Sequence, residues 1–123
     1  MFGLSKKEKM ESAFKFSDWD KMRSLMGKGV MPTPEMVDQI LIRKGPEQLQ
    51  MLLDGGIKPT PAMLHRVTAF NLHGSAIKFL LIGKAQVLIA AGVVPSEETL
   101  KFAVSNMGDV GWTNMLIEAG AKP

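Results

Sequence analysis

The chain has 123 residues, of which 46% are hydrophobic and 22% charged. This composition is typical of a single folded domain with a substantial core and excludes an intrinsically disordered chain. The net charge of +3 is small, and basic and acidic residues are interleaved, so the dense basic stripe of a typical nucleic-acid-binding protein is absent.

The composition also bears on location and on chemistry. There is no cysteine, which excludes disulfides and thiolate chemistry. The longest apolar stretch, 79–94, is interrupted by Lys84 and Gln86 and is shorter than the about 20 residues that a membrane span needs. The first ten residues lack the apolar core of a signal peptide. We therefore expect a cytoplasmic protein, in the host cytoplasm if the source is a virus or phage, with no membrane partner.

In chain order, the spacing of apolar residues and of helix-ending residues predicts helices and no strand. The predicted helices span 5–16, 18–27, 34–44, 46–54, 61–73, 75–91, 97–107 and 109–119. They pair into four units of one domain, over residues 5–32, 33–59, 60–95 and 96–123.

One sequence motif ends every unit: Leu, an apolar residue, two variable residues, Gly, an apolar residue, a variable residue and Pro. Its copies are LMGKGVMP, LLDGGIKP, LIAAGVVP and LIEAGAKP, ending at Pro32, Pro59, Pro95 and Pro123. We expect the glycine to adopt the left-handed conformation that caps a helix C-terminus, and the proline to prevent the helix from continuing. A hydroxyl residue follows and is predicted to start the next helix, at Thr33, Thr60 and Ser96.

The prolines are separated by 27, 36 and 28 residues, so the third unit carries an insertion. The insertion predicts that the second helix of this unit, 75–91, is longer than its counterparts or is broken at Gly83. Because this helix is apolar nearly all round, we expect it to be buried on several sides and to exchange its amide protons slowly.

The segment Thr60-Pro61-Ala62-Met63-Leu64-His65 resembles the Thr-Pro-Leu-His opening of an ankyrin repeat, and 110–121 resembles the second helix and exit of that repeat. The resemblance covers residues 18–123. It implies an all-α, solenoid-like stack of about four helix–turn–helix hairpins and a non-catalytic, protein-binding role. The unit of about 27 residues is shorter than the ankyrin unit of about 33, so we expect tight Gly–Pro turns in place of β-hairpin fingers. A helical-hairpin repeat of another lineage is the alternative.

No motif predicts catalysis, a cofactor or a metal site. His65 and His73 are the only histidines, which is too few ligands for zinc without cysteine, and the matching histidine of the ankyrin family braces a turn, which implies a structural role for His65. The segments 27–29 and 83–84 lack the full phosphate-loop pattern and are interpreted as helix ends. The pair Glu97-Glu98 follows a predicted helix start, where acidic residues favour the helix dipole.

Six residues are candidates for contact with a partner: Trp112, Trp19, Met31, Met107, Arg66 and Phe102. Exposed methionine suits an adaptable binding surface. For both tryptophans core packing is the favoured role, and anchoring of an interface is the alternative, because tryptophan is enriched at binding hot spots. The expected partner is a protein, with this chain acting as an adaptor or inhibitor that occupies its surface. A phage- or bacterium-encoded inhibitor would fit. The alternative is a nucleic-acid-binding helical repeat that uses a basic face.

The two terminal hairpins should each have one stacking neighbour, which leaves apolar side chains uncovered. We expect one end, by preference the C-terminal end with Trp112, to pair with a second copy in a homodimer or with the target.

Overall fold

The computed structural model describes residues 3–70, 78–107 and 109–121, and within them the chain is helical without any strand. The helices are α1 (Lys6–Lys15), α2 (Trp19–Gly27), α3 (Pro34–Arg43), α4 (Pro46–Asp54), α5 (Pro61–Phe70), α6 (Lys78–Ala90), α7 (Glu97–Phe102) and α8 (Val110–Glu118). A π-helical segment, Ala103–Met107, continues α7. The predicted all-α class is confirmed. The predicted break near 73–75 lies outside the described residues.

The helices that open the four units, α1, α3, α5 and α7, start in the same way. Each follows a hydroxyl residue whose Oγ accepts a hydrogen bond of 3.1–3.2 Å from the backbone N–H three residues later. These residues are Ser5, Thr33, Thr60 and Ser96. Each bond satisfies one of the N–H groups that have no partner inside the helix. The predicted helix starts at Thr33, Thr60 and Ser96 are therefore confirmed.

The glycines of the four copies of this motif all lie in the left-handed region, with φ of 89° at Gly29, 111° at Gly56, 101° at Gly92 and 109° at Gly120. At each, the glycine N–H donates to the carbonyl three residues earlier, and the next N–H donates to the carbonyl five residues earlier. In the second unit these are Gly56 N to Leu53 O at 3.1 Å and Ile57 N to Leu52 O at 3.0 Å. This pair of bonds is the Schellman motif, and it confirms the predicted caps.

The helices contact one another both within and between units. Within units, α1 packs against α2, α3 against α4, α5 against α6, and α7 against α8. Between units, α3 contacts α5 and α5 contacts α7, while α2 contacts α4 and α4 contacts α6. Equivalent positions face the core in successive opening helices, as Ile40, Val67 and Ala103 show, each fully buried. The second helices of the units also contribute to the core, for example with Leu49, Leu88 and Leu116.

Helix α6 accommodates the insertion by its length. It has 13 residues, whereas α2, α4 and α8 each have nine, and it continues through Gly83, so the longer of the two predicted forms is the one observed. A Cβ at Gly83 would come within 2.6 Å of the Pro46 ring, which shows how closely α6 approaches the start of α4. The helix packs against α4 and α5, but Leu80 remains 44% exposed.

The cap glycines generate the first prediction. A Cβ at Gly92 would meet no atom within 4 Å, so Gly92→Val should be destabilising only because a β-branched residue is strained at positive φ. We expect a loss of about 1–2 kcal/mol in the free energy of unfolding, measured by urea denaturation.

Gly27→Ala is the matched control, since Gly27 lies in α2 with equally open surroundings. Because alanine favours helix over glycine, this variant should be neutral or stabilised by up to about 1 kcal/mol. Equal stability of Gly92→Val and wild type would contradict the assignment of Gly92 as a left-handed cap.

Candidate functional site

A groove of about 500 Å³ lies between α3 and α5 and reaches the turns that precede them. We call it the α3–α5 groove. Val37 and Leu41 form a buried base, whereas Pro34 and Ala62 are exposed at its edges. The complete lining is Pro32, Pro34, Val37, Asp38, Leu41, Ile57, Ala62, Met63 and Arg66. Seven of these nine residues are apolar, so the groove suits an apolar group of a partner.

The two charged residues of the groove form an ion pair. Arg66 Nε lies 2.9 Å from Asp38 Oδ1 and Arg66 Nη2 lies 3.1 Å from Asp38 Oδ2. The hydrogen bond from Arg66 holds the pKa of Asp38 below its ordinary value, against the opposing effect of burial. Both side chains are more than 40% exposed, so the pair adds at most about 1 kcal/mol to stability. Its main effect is to orient the guanidinium, which retains three N–H groups that this pair does not use.

Of the six candidate partner-binding residues, Arg66 alone lines this groove. Met31 precedes Pro32 of the lining and is 42% exposed. Asp38 was not predicted, although its separation of 28 residues from Arg66 is close to the repeat length, which places the two residues at similar positions on neighbouring opening helices. Arg66 was thus predictable from the sequence, whereas the apolar base of the groove, Val37 and Leu41, was not.

Trp112 is wrongly placed among the interface candidates. Its side chain is fully buried, and its Nε1 donates a 3.3 Å hydrogen bond to Thr68 Oγ1. The Thr68 hydroxyl in turn donates to Leu64 O at 2.8 Å. Helix α8 therefore directs its indole towards α5, and the core role that the sequence also allowed is the observed one. Trp112 offers no surface to a second copy or to a target.

The remaining candidates lie apart from one another. Trp19 is partly buried, with Lys44 Nζ 5.9 Å from the centre of its ring. Phe102 is also partly buried and makes an edge contact with His65 at 5.7 Å between ring centres. The side chain of Met107 lies outside the described part of the structure. The five candidates whose side chains the structure describes therefore do not form a single binding surface.

His65 joins two units. Its Nδ1 lies 2.8 Å from the hydroxyl oxygen of Thr99, which in turn lies 2.9 Å from the hydroxyl oxygen of Ser96, the residue that caps α7. The expected structural role of His65 thus has a physical basis, although the contact reaches the following unit. His73 lies outside the described residues.

Large apolar side chains are exposed at both terminal hairpins, as they also are in the third unit at Leu80 and Val94. Phe16 is 73% exposed and Leu4 is exposed near the N-terminus. In the last hairpin Val104, Val110 and Ile117 are exposed, whereas Leu116 is buried.

The two glycine segments predicted to be helix ends, 27–29 and 83–84, lie in different environments in the structure. Residues 27–29 do end α2. Gly83-Lys84, however, lies within α6, so its interpretation as a helix end is wrong. Gly83 does not end the helix. It lies inside α6 because a residue with a Cβ would collide with the ring of Pro46 at this position.

Lys84 is buried among apolar residues, with only 1% of its surface exposed. Its Nζ lies 3.5 Å from Ile40 O, near the C-terminus of α3. Because burial disfavours the charged form, the pKa of Lys84 is lowered from its ordinary value to about 8. The sequence showed this residue only as an interruption of an apolar stretch.

Among the described residues, no group of three or more His, Cys, Asp and Glu side chains could hold a metal ion, and no helix is long and apolar enough to cross a membrane. Comparisons with models of known families, with curated proteins and with solved structures found no match.

Lys84 generates a prediction about pH. Its folded-state pKa lies below the unfolded value near 10.5, so between about pH 8 and 10.5 the unfolded chain binds a proton that the folded chain does not. The free energy of unfolding should therefore rise with pH across this window. Replacing the ammonium by a methionine side chain removes the desolvation cost, so Lys84→Met should be more stable at pH 7 by up to about 3 kcal/mol.

Urea denaturation of both proteins at pH 7, 8.5 and 10 measures these effects. The difference in stability between Lys84→Met and wild type should shrink as the pH rises, because the other lysines are common to both. A difference that stays constant with pH would show that Lys84 has an ordinary pKa.

Proposed function

We propose that this chain is a stack of four short, ankyrin-like helical hairpins that binds a protein partner without catalysis. Support for the stack comes from the contacts of α3 with α5, of α5 with α7, of α2 with α4 and of α4 with α6. The four hydroxyl caps and the four glycine turns recur with the period of the sequence repeat. In such an array the grooves between neighbouring opening helices are natural contact surfaces.

The α3–α5 groove carries the functional proposal. Its apolar lining would accept an apolar side chain of the partner, and the N–H groups that Arg66 does not share with Asp38 would donate to a carbonyl or carboxylate beside it. Met31, exposed at the adjoining turn, would add an adaptable contact. By occupying a partner's surface in this way, a chain of this size would act as an adaptor or inhibitor in the cytoplasm.

Nucleic-acid binding is the second candidate, and one observation favours it. Residues 1–30 contain seven of the 15 basic residues but four of the 12 acidic ones, so they account for the whole net charge. Lys6, Lys7, Lys9, Lys15 and Lys21 are all exposed on the first hairpin. A phosphate backbone would be attracted to this face, with an affinity that falls steeply with salt.

We also propose a homodimer, but through a contact that does not involve Trp112. Since Trp112 is buried, the surface that a second copy would cover consists of Val110 and Ile117, seven residues apart on α8, together with Val104. Pairing through one such face would give two-fold symmetry.

Binding through the α3–α5 groove can be tested with Ala62→Glu. Ala62 is exposed and is the second residue of α5, where a carboxylate favours the helix dipole, so the variant should fold while placing a charge in the groove. The control Gln86→Glu adds a negative charge at an exposed position of α6 outside the groove.

Tagged wild type and both variants serve as bait in extract of the source cells, with and without nuclease treatment. We expect wild type and Gln86→Glu to retain the same protein, and Ala62→Glu to retain at least about tenfold less. Retention that nuclease abolishes would favour the basic face of the first hairpin. Retention that is equal for all three baits would reject the groove as the binding surface.

A further inference from the structure

A second cleft, separate from the α3–α5 groove, lies where the C-terminal ends of α3 and α5 meet α6. Its volume is about 260 Å³, and its lining is Ile42, Arg43, Phe70, Leu80, Leu81 and Lys84. We call it the Lys84 cleft. This volume is smaller than the roughly 300–1,000 Å³ of sites that hold drug-sized ligands, so it suits a small molecule.

The charge of the Lys84 cleft is unbalanced. Arg43 and Lys84 are both basic, and none of the six lining residues is acidic. Lys84 is 99% buried, since 1% of its surface is exposed, yet its ammonium has three N–H donors and lies 3.5 Å from the oxygen of Ile40, at the outer limit of a hydrogen bond. A buried cation without a carboxylate is costly, and an anion from outside would supply the missing partner.

The remaining walls are apolar. Phe70 is partly buried and Leu81 is fully buried. Leu80 is 44% exposed, although α6 packs against both α4 and α5. An occupant with an apolar part would cover this leucine. The cleft thus combines a buried positive group with an uncovered apolar wall.

We propose that the Lys84 cleft binds a small apolar carboxylic acid. The carboxylate pairs with the ammonium of Lys84 and with the guanidinium of Arg43 at the exposed side, and the apolar part of the ligand lies along Phe70 and Leu80. A monoanion fits better than a phosphate dianion, because the apolar walls supply no further donors to hydrate a second charge. This site is independent of any macromolecular partner at the α3–α5 groove.

Binding of a carboxylate should be accompanied by uptake of protons. The pKa of Lys84 near 8 means that this amine is largely neutral at pH 8.5, and a bound carboxylate would favour its protonated form. Arg43 is the other charged group among the described residues that line the cleft. Ligand binding should therefore take up a fraction of a proton from the buffer, which binding through apolar contact alone would not do.

Isothermal titration calorimetry with octanoate tests the proposal, with octan-1-ol as the neutral ligand of equal chain length. We expect octanoate to bind wild type with a Kd of the order of 1 mM or tighter, and Lys84→Met to bind it at least about tenfold more weakly. Lys58→Met, at an exposed turn position, should bind octanoate as wild type does. The Kd for octan-1-ol should be the same for wild type and for both variants.

Titration at pH 8.5 in two buffers of different ionisation enthalpy measures the proton uptake, which should be present for octanoate and absent for octan-1-ol. Arg43→Gln, altered at an exposed side chain, provides a second variant if Lys84→Met does not fold, and it should weaken octanoate binding several-fold. The proposal is overturned by a lack of octanoate binding at about 10 mM, by an equal Kd for Lys84→Met, or by binding without proton uptake.

Discussion

Two backbone hydrogen bonds at each glycine turn determine where the chain reverses. The N–H of the glycine and that of the next residue both donate back to the last turn of the helix, at 3.0–3.1 Å in all four units. They satisfy carbonyls that the helix itself leaves without partners. The glycine must take a positive φ to make both bonds, and the apolar residue after it, such as Val93, then returns to the core. The turns at Gly29, Gly56 and Gly92 therefore start α3, α5 and α7 from equivalent positions.

This constraint explains how separate units produce one core. Because Thr33, Thr60 and Ser96 cap successive opening helices at matching points, the same face of each helix meets its neighbour. Polar pairs then join adjacent opening helices at their edges: Asp38 with Arg66 and His65 with Thr99. The two clefts that carry the functional proposals both follow from this arrangement, one between opening helices and one where α6 lies against the ends of α3 and α5.

The residues that the sequence predicted well are those whose role depends on their neighbours in the chain. A glycine between a helix and a proline, or a threonine before Pro34 or Pro61, has a local meaning, and the helix ends derived from them agree with the structure. The roles of Trp112, Lys84 and the Asp38–Arg66 pair depend on which units meet, and at what rotation. An amphipathic pattern does not determine that rotation. The burial of Trp112 and the position of Lys84 inside α6 could therefore be established only from the three-dimensional structure.

The most direct test of this account is hydrogen exchange, measured by NMR, at the four amides that follow the cap glycines: Val30, Ile57, Val93 and Ala121. Each donates to a helix carbonyl five residues earlier, although none lies within a helix. We predict that all four exchange at least about a hundredfold more slowly than the same residues in an unstructured peptide. Exchange at the unprotected rate in the folded protein would show that the turns are not closed by these bonds, and the account of the repeat would be contradicted.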